Sequence, residues 1–340
     1  RYNAYLGTAT DAASATYNQG GTGASSRTIE NKLQERVSVK DFGATGDGTT
    51  DDTVAIQAAM DSGAKYIVFP ESGVTSYLLT DQISIPTGVT ISAYGAILNW
   101  TQFGSVLASS EAEHAATGNG IRMESNTSWF GGTLKTTNVL SPSDSGGSGS
   151  IPVASMSGAF WNIFVIGHFN DITTPTASIG VLTENITIKD VDTVLVSGSR
   201  NGAALVAGHV GNVNLINVTD DTSSNSADTI FGWEFTWGGA RGAVYVPFNV
   251  RIDNMATKGA NLGDYEGLRL SGAYDVDIIS YRGVNVRYGI TVYIGDPGTS
   301  TAYTSTQDRT RTGTGINIDS PYIDKADYGI RILGDGNGST

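Results

Sequence analysis

The chain has 340 residues, no cysteine and a formal net charge of −13. That excludes a disulfide framework, a thiolate zinc site and a non-specific nucleic-acid binder, because the last needs Lys and Arg to displace counterions from phosphate. With 39% hydrophobic and 16% charged residues and 44 glycines, the composition is that of a turn-rich β protein, and no apolar run of about 18 residues is present to insert in a membrane.

In chain order, the first informative stretch is "VSVKDFGATGDGTTDDTVAIQAAMDSGAKYIVFPESG", beginning at Val37. A short strand passes through a Gly-rich turn into an apolar-periodic segment and then a second strand. The pattern predicts a helix over about 51–62, with Thr49 or Thr50 accepting from the free amides of its first turn and Asp51 and Asp52 placed where the helix dipole favours negative charge. Val54, Ala55, Ala58 and Ala59 are expected on its buried face, and Gly63 after its end. The aspartate cluster reads as structural, since a P-loop requires a Gly-Lys-Ser/Thr ending and a calcium loop a terminal Glu, and neither is present.

"VKDFGATGDGTTDDTVAIQAAM" followed by "YIVFPESGVTSYLL" resembles the start of the pectate-lyase-like domain of bacteriophage tailspikes and many polysaccharide-degrading enzymes. The resemblance implies an all-β fold, a right-handed parallel β-helix whose first coil is capped by the short helix. The upstream stretch "YNQGGTGASSRTIENKLQERVSVKDFG" is similar to the neck that joins a virion-binding module to such a solenoid. The expected organisation is therefore a neck over 1–38 and a β-helix over 39–340. The family is commonly a homotrimer, located in the virion tail and joined through its N-terminus to other tail proteins. A further C-terminal module for trimer closure is also expected, since the chain starts at Arg1 and reads as a fragment.

The remainder carries a recurring strand pair of the kind a coiled solenoid requires. One series reads Gly, apolar, any, apolar: "GIRM" from Gly120, "GAAL" from Gly202, "GWEF" from Gly232, "GLRL" from Gly267, "GITV" from Gly289 and "GIRI" from Gly329. A second follows: "NITIKDV" from Asn185, "NVNLINV" from Asn212, "NVRIDNM" from Asn249, "DVDIISY" from Asp275 and "GINIDSP" from Gly315. Neighbouring strand residues alternate faces, so the second residue after each Gly is expected outside. That gives a ladder Arg122, Ala204, Glu234, Arg269, Thr291, Arg331, with Glu234 one rung from Arg269, and with Trp233, Phe235 and Trp237 on the inward side, Trp237 being the expected exception because it ends the strand before a Gly-Gly turn.

Glycoside hydrolysis needs two carboxyl groups flanking the scissile bond. Glu234 lies in the aromatic-rich "FGWEFTWGGARG", and "NLGDYEGLRL" supplies Asp264 and Glu266 just before the next stacked strand. These three are the catalytic candidates, with Arg269, Arg241, Trp237, Tyr293 and Asp296 as substrate-binding candidates. No metal site or cofactor is expected, because His114, His168 and His209 show no zinc-type pairing. Three functions stay open: a tailspike glycosidase acting on bacterial capsular or exopolysaccharide, a polysaccharide lyase using a base among Arg241, Arg269, Tyr265 and Tyr293, and a non-catalytic adhesin or structural tail segment.

Overall fold

The computed structural model describes residues 11, 13–71, 73, 75–101, 120–137, 162–167, 181–195, 202–224, 231–236, 246–259, 265–294 and 315–334, except for the side chains at 231 and 294. Thr16–Tyr17 and Arg27–Thr28 form a small antiparallel pair, followed by a helix over Ile29–Leu33. From Arg36–Ser38 onward every described strand pairing is parallel.

Eight strands stack into one sheet in chain order: Ile83–Ile85, Ile121–Met123, Phe164–Gly167, Ala204–Ala207, Phe231–Thr236, Glu266–Ser271, Tyr288–Ile294 and Tyr328–Gly334. The remaining strands belong to a second sheet whose longest members, Thr183–Leu195, Val210–Asp221 and Phe248–Lys258, lie side by side. Parallel neighbours joined by crossovers that pack back onto the sheet define a right-handed parallel β-helix.

The second series of sequence repeats forms these long strands and explains their bends. Asn185, Asn212 and Asn249 open the repeats at φ 61, 55 and 51, and Asp190, Asn217 and Asn254 bend them at φ 58, 51 and 60. Asn and Asp tolerate this left-handed conformation better than other side chains. Each amide also bonds the coil below: Asn212 Nδ2 donates to Asn185 Oδ1 at 2.9 Å, and Asn217 Nδ2 to Asp190 Oδ1 at 2.8 Å. Both pairs are 27 residues apart, one coil of the solenoid.

The interior is apolar and aromatic. Trp129, Phe164 and Trp233 succeed one another with ring centroids 5.9 and 6.3 Å apart, and Trp233 and Phe235 are fully buried, the inward placement that strand alternation predicts. The expected outward residue Ala204 is displaced by one position. Ala204 pairs with Trp233 and Leu205 with Glu234, so "GAAL" turns its corner at Ala203 and puts Leu205 in the outer column. Phe164–Gly167, whose "FVIG" does not follow the Gly-first pattern, supplies a rung that the repeat count passes over.

The capping helix spans Thr53–Met60, shorter than expected, and Gly63 follows its end at φ 85. Its buried residues are Thr53, Ile56, Ala59 and Met60, while Val54 is 80% exposed, which corrects the expected face by a fraction of a turn. Thr49 and Thr50 do not cap it. The helix starts at Thr53 with Asp52 at its N-cap, so both lie upstream of it, and their hydroxyls donate to Asp47 Oδ1 and Oδ2 at 3.1 and 2.8 Å. Asp51 takes the Thr53 amide at 3.0 Å, and Asp52 turns back to the amides of Thr45 and Gly46 at 2.7 and 3.1 Å. Gln57 does what a further coil would do for the edge strand Ile83–Ile85. Its side-chain amide accepts from the Ser84 amide at 2.8 Å and donates to the Ser84 carbonyl at 3.2 Å.

Candidate functional site

The site is built on the outer face of the eight-stranded sheet, and three glycine corners decide which side chains reach it. A Cβ on Gly267 would point inward, onto Tyr281 Oη and Thr257 Oγ1, although Leu268 beside it also points inward. Two consecutive inward positions reverse the alternation at the corner. Glu266, one residue before Gly267, therefore faces outward together with Arg269, two residues after it. Gly232 and Gly289 carry the same constraint, the first against Tyr265 and Asp220, the second against Ile323.

Register then assembles the residues. Glu234 pairs with Arg269, Arg269 with Thr291 and Thr291 with Arg331, and Glu266 pairs with Tyr288. The expected rung between Glu234 and Arg269 is present, and no coil intervenes between their strands. Arg269 Nε lies 3.6 Å from Glu234 Oε1 and donates to Ser271 Oγ at 3.0 Å. Its guanidinium sits 4.5 Å from the centre of the Tyr293 ring. Arg331 Nη2 donates to Glu266 Oε1 at 3.3 Å and to the Tyr293 hydroxyl at 2.8 Å, with its guanidinium 3.8 Å from the Tyr288 ring centre. Glu266 Oε2 and Thr291 Oγ1 are buried with no hydrogen-bond partner among the described residues.

Burial raises both carboxyls, and their charged neighbours differ. Both side chains are about nine-tenths buried or more, 10% exposed for Glu234 and 7% for Glu266. Burial pushes the Glu234 carboxyl up, Arg269 opposes this, and the charge of Glu266 adds to it. Burial also pushes Glu266 up, and two guanidiniums, Arg269 and Arg331, together with the Thr291 hydroxyl, oppose this without cancelling it.

Of the sequence-predicted site residues, Glu234, Glu266, Arg269 and Tyr293 come together. Asp264, Arg241, Trp237 and Asp296 lie outside the described residues. Tyr265 is not at the site, which removes it as a lyase base. It is 2% exposed, and its hydroxyl donates into the solenoid interior to Asp220 at 2.7 Å. Sequence reasoning passed over Arg331 and Tyr288 as site residues. Arg331 stands in the same predicted ladder, and Tyr288 precedes a corner glycine as Glu266 does, so counting back one residue from each glycine finds it.

The sequence profile described as rhamnogalacturonase A/epimerase, pectate lyase-like matches residues 36–260. A probable glucan endo-1,3-beta-glucosidase of Arthroderma benhamiae is 47% identical over 57 residues, 16% of this chain and 6% of that protein. The tail spike protein of an Escherichia phage is 56% identical over 43 residues, 13% of this chain and 5% of that protein. Among solved structures, the tailspike of E. coli bacteriophage HK620 in complex with a pentasaccharide aligns at 13% identity and TM-score 0.43, over 96% of this chain and 62% of that one. The surface adhesin PfbA of Streptococcus pneumoniae aligns at 16% identity and TM-score 0.42, over 88% of this chain and 80% of that one. The chain thus spans a small part of the first two proteins and under two thirds of the HK620 tailspike.

Proposed function

The chain belongs to the rhamnogalacturonase A/epimerase, pectate lyase-like family, and we propose that it binds and hydrolyses a bacterial capsular or exopolysaccharide as part of a phage tailspike. The observation that carries this reading is the pair of buried carboxyls, Glu234 and Glu266, brought to one face of the sheet beside Arg269 and Arg331. Two carboxyl groups beside one another in unlike charged surroundings are what acid and base roles require.

Glu234, beside one guanidinium and the charge of Glu266, is assigned as the acid that protonates the leaving glycosidic oxygen. Glu266, between two guanidiniums, serves as the carboxylate that activates water or attacks the anomeric carbon. Arg269, with Tyr293 against its face, holds a polar group of the sugar. Asp264 is the alternative to Glu266 as the second catalytic carboxyl, and Trp237, Arg241 and Asp296 are further candidates for holding the sugar. The tail location, attachment to other tail proteins through the N-terminus and assembly as a homotrimer belong to the same proposal, supported by the local identity to the Escherichia phage tail spike.

A lyase on the same scaffold is the second reading, favoured by the Tyr293 hydroxyl beside Arg331. The test is reducing-end release from a panel of bacterial polysaccharides, comparing the parent with Glu234→Gln. Release abolished by the substitution supports hydrolysis through Glu234. An unsaturated, ultraviolet-absorbing product favours the lyase, and binding without release under any condition favours an adhesin and overturns the hydrolase.

A further inference from the structure

Behind the two carboxyls, inside the solenoid, lies a second polar cluster. Asp220, 1% exposed, stands near the end of Val210–Asp221. Its Oδ2 accepts from the Tyr265 hydroxyl at 2.7 Å, and its Oδ1 lies 2.9 Å from Thr193 Oγ1. Thr193 has one hydroxyl proton, and the same oxygen lies 2.9 Å from the Thr219 carbonyl, which can only accept. With that proton given to Thr219, the contact between Asp220 and Thr193 is favourable when Asp220 carries a proton and donates it.

The groups facing Asp220 do not argue otherwise. Tyr281, from the next coil, is engaged with Thr257 at 2.5 Å and with the Gly289 carbonyl at 2.8 Å. Asp221, adjacent in the chain, is a carboxylate paired with Lys258 at 3.1 Å. Among the described residues no ion pair reaches Asp220. Burial accordingly pushes the Asp220 carboxyl up to about 7.

Tyr265 connects this cluster to the site. Its hydroxyl is held by Asp220, its carbonyl accepts from the amides of Arg287 and Tyr288 at 3.0 and 3.1 Å, and the residue after it is Glu266. The same hydroxyl fills the space where Gly232 lacks a Cβ, 2.6 Å from where that atom would stand and two residues before Glu234. Building on the assignment of Glu234 and Glu266 as the catalytic pair, we propose that Asp220 is a positioning residue for Glu266, acting through Tyr265 as a carboxylic acid that donates to Thr193. Ionisation reverses the Thr193 proton, breaks its bond to Thr219 and places an uncompensated charge behind the corner that carries Glu266.

The test is carbon-13 NMR of the full chain labelled at glutamate carboxyls, from pH 5 to 9, with Glu234→Gln and Glu266→Gln assigning the resonances. In the parent, the Glu266 resonance shows a step near neutrality in addition to its own titration. Asp220→Asn, whose amide can donate to Thr193 and accept from Tyr265, abolishes that step. If Asp220→Asn does not fold, Tyr265→Phe decides, because it severs the connection and also abolishes the step. Absence of the step in the parent, or its persistence in either variant, overturns the proposal. An Asp220 that only stabilised the fold would lower the melting temperature of Asp220→Asn and leave the step in place. Sugar release is measured in parallel: no release with the NMR step intact sinks the hydrolase reading alone, and where release occurs its decline above neutrality moves to higher pH in Asp220→Asn, seen in kcat more than KM.

Discussion

Replacing Gly267 by alanine destabilises the solenoid at the corner that carries the site. The new Cβ would fall inside contact distance of Tyr281 Oη and Thr257 Oγ1 and 3.0 Å from the Gly289 carbonyl oxygen. Tyr281 is fully buried, so its ring cannot swing away, and overpacking of this kind costs about 1–3 kcal/mol. Displacing the hydroxyl also breaks its 2.8 Å bond to the Gly289 carbonyl and strands a buried donor, for about 1–3 kcal/mol more. Together these give roughly 2–6 kcal/mol, read as a fall in the urea midpoint of Gly267→Ala. Gly329 occupies the corresponding corner of the last described coil, where a Cβ would meet only Ile323 Cδ1 at 3.6 Å, so Gly329→Ala should stay within about 0.5 kcal/mol of the parent. Adding Tyr281→Phe to Gly267→Ala removes the atom nearest the new methyl, so the double variant should be more stable than additivity predicts. Equal shifts for Gly267→Ala and Gly329→Ala, or strict additivity in the double variant, would refute the steric account.

Three further outcomes follow from the geometry. Arg269→Met removes a charge that favours ionised Glu234 and Glu266; both carboxyls then hold protons to higher pH, and the acidic limb of the sugar-release profile moves upward, whereas an unmoved limb rules out coupling to either residue. Asn212→Ala loses bonds to Asn185 and Asn249 and keeps an alanine at φ 55, costing about 2–4 kcal/mol, while Asn212→Gly relieves the backbone part and melts at a higher temperature than the alanine variant. Gln57→Leu uncovers the edge strand Ile83–Ile85, so hydrogen exchange at the Ser84 amide should accelerate with little change at the buried strand Ala204–Ala207; unchanged exchange at Ser84 would show that the edge is held by other contacts.

The sequence by itself determined the repeat, the inward aromatics and the capping segment, because each follows from local rules. Alternation sends Trp233 and Phe235 inside while Glu234 and Arg269 face out, and Asn or Asp marks each left-handed bend of the second sheet. Where those rules failed, element boundaries lay a few residues from where the pattern put them. The helix starts at Thr53, beyond the reach of Thr49 and Thr50, and Ala204 lost its outward place because the corner before it moved by one residue.

The candidate site was legible in part, since Glu234, Glu266, Arg269 and Tyr293 were found by stacking the repeats. The pairing of Arg331 with Glu266 across 65 residues and the seclusion of Tyr265 with Asp220 were not legible. Both depend on the doubled inward turn at a corner glycine, which reverses the face of every residue before it. At that corner the Tyr281 hydroxyl fills the space of the missing Cβ, a contact between successive coils that no spacing within one strand encodes.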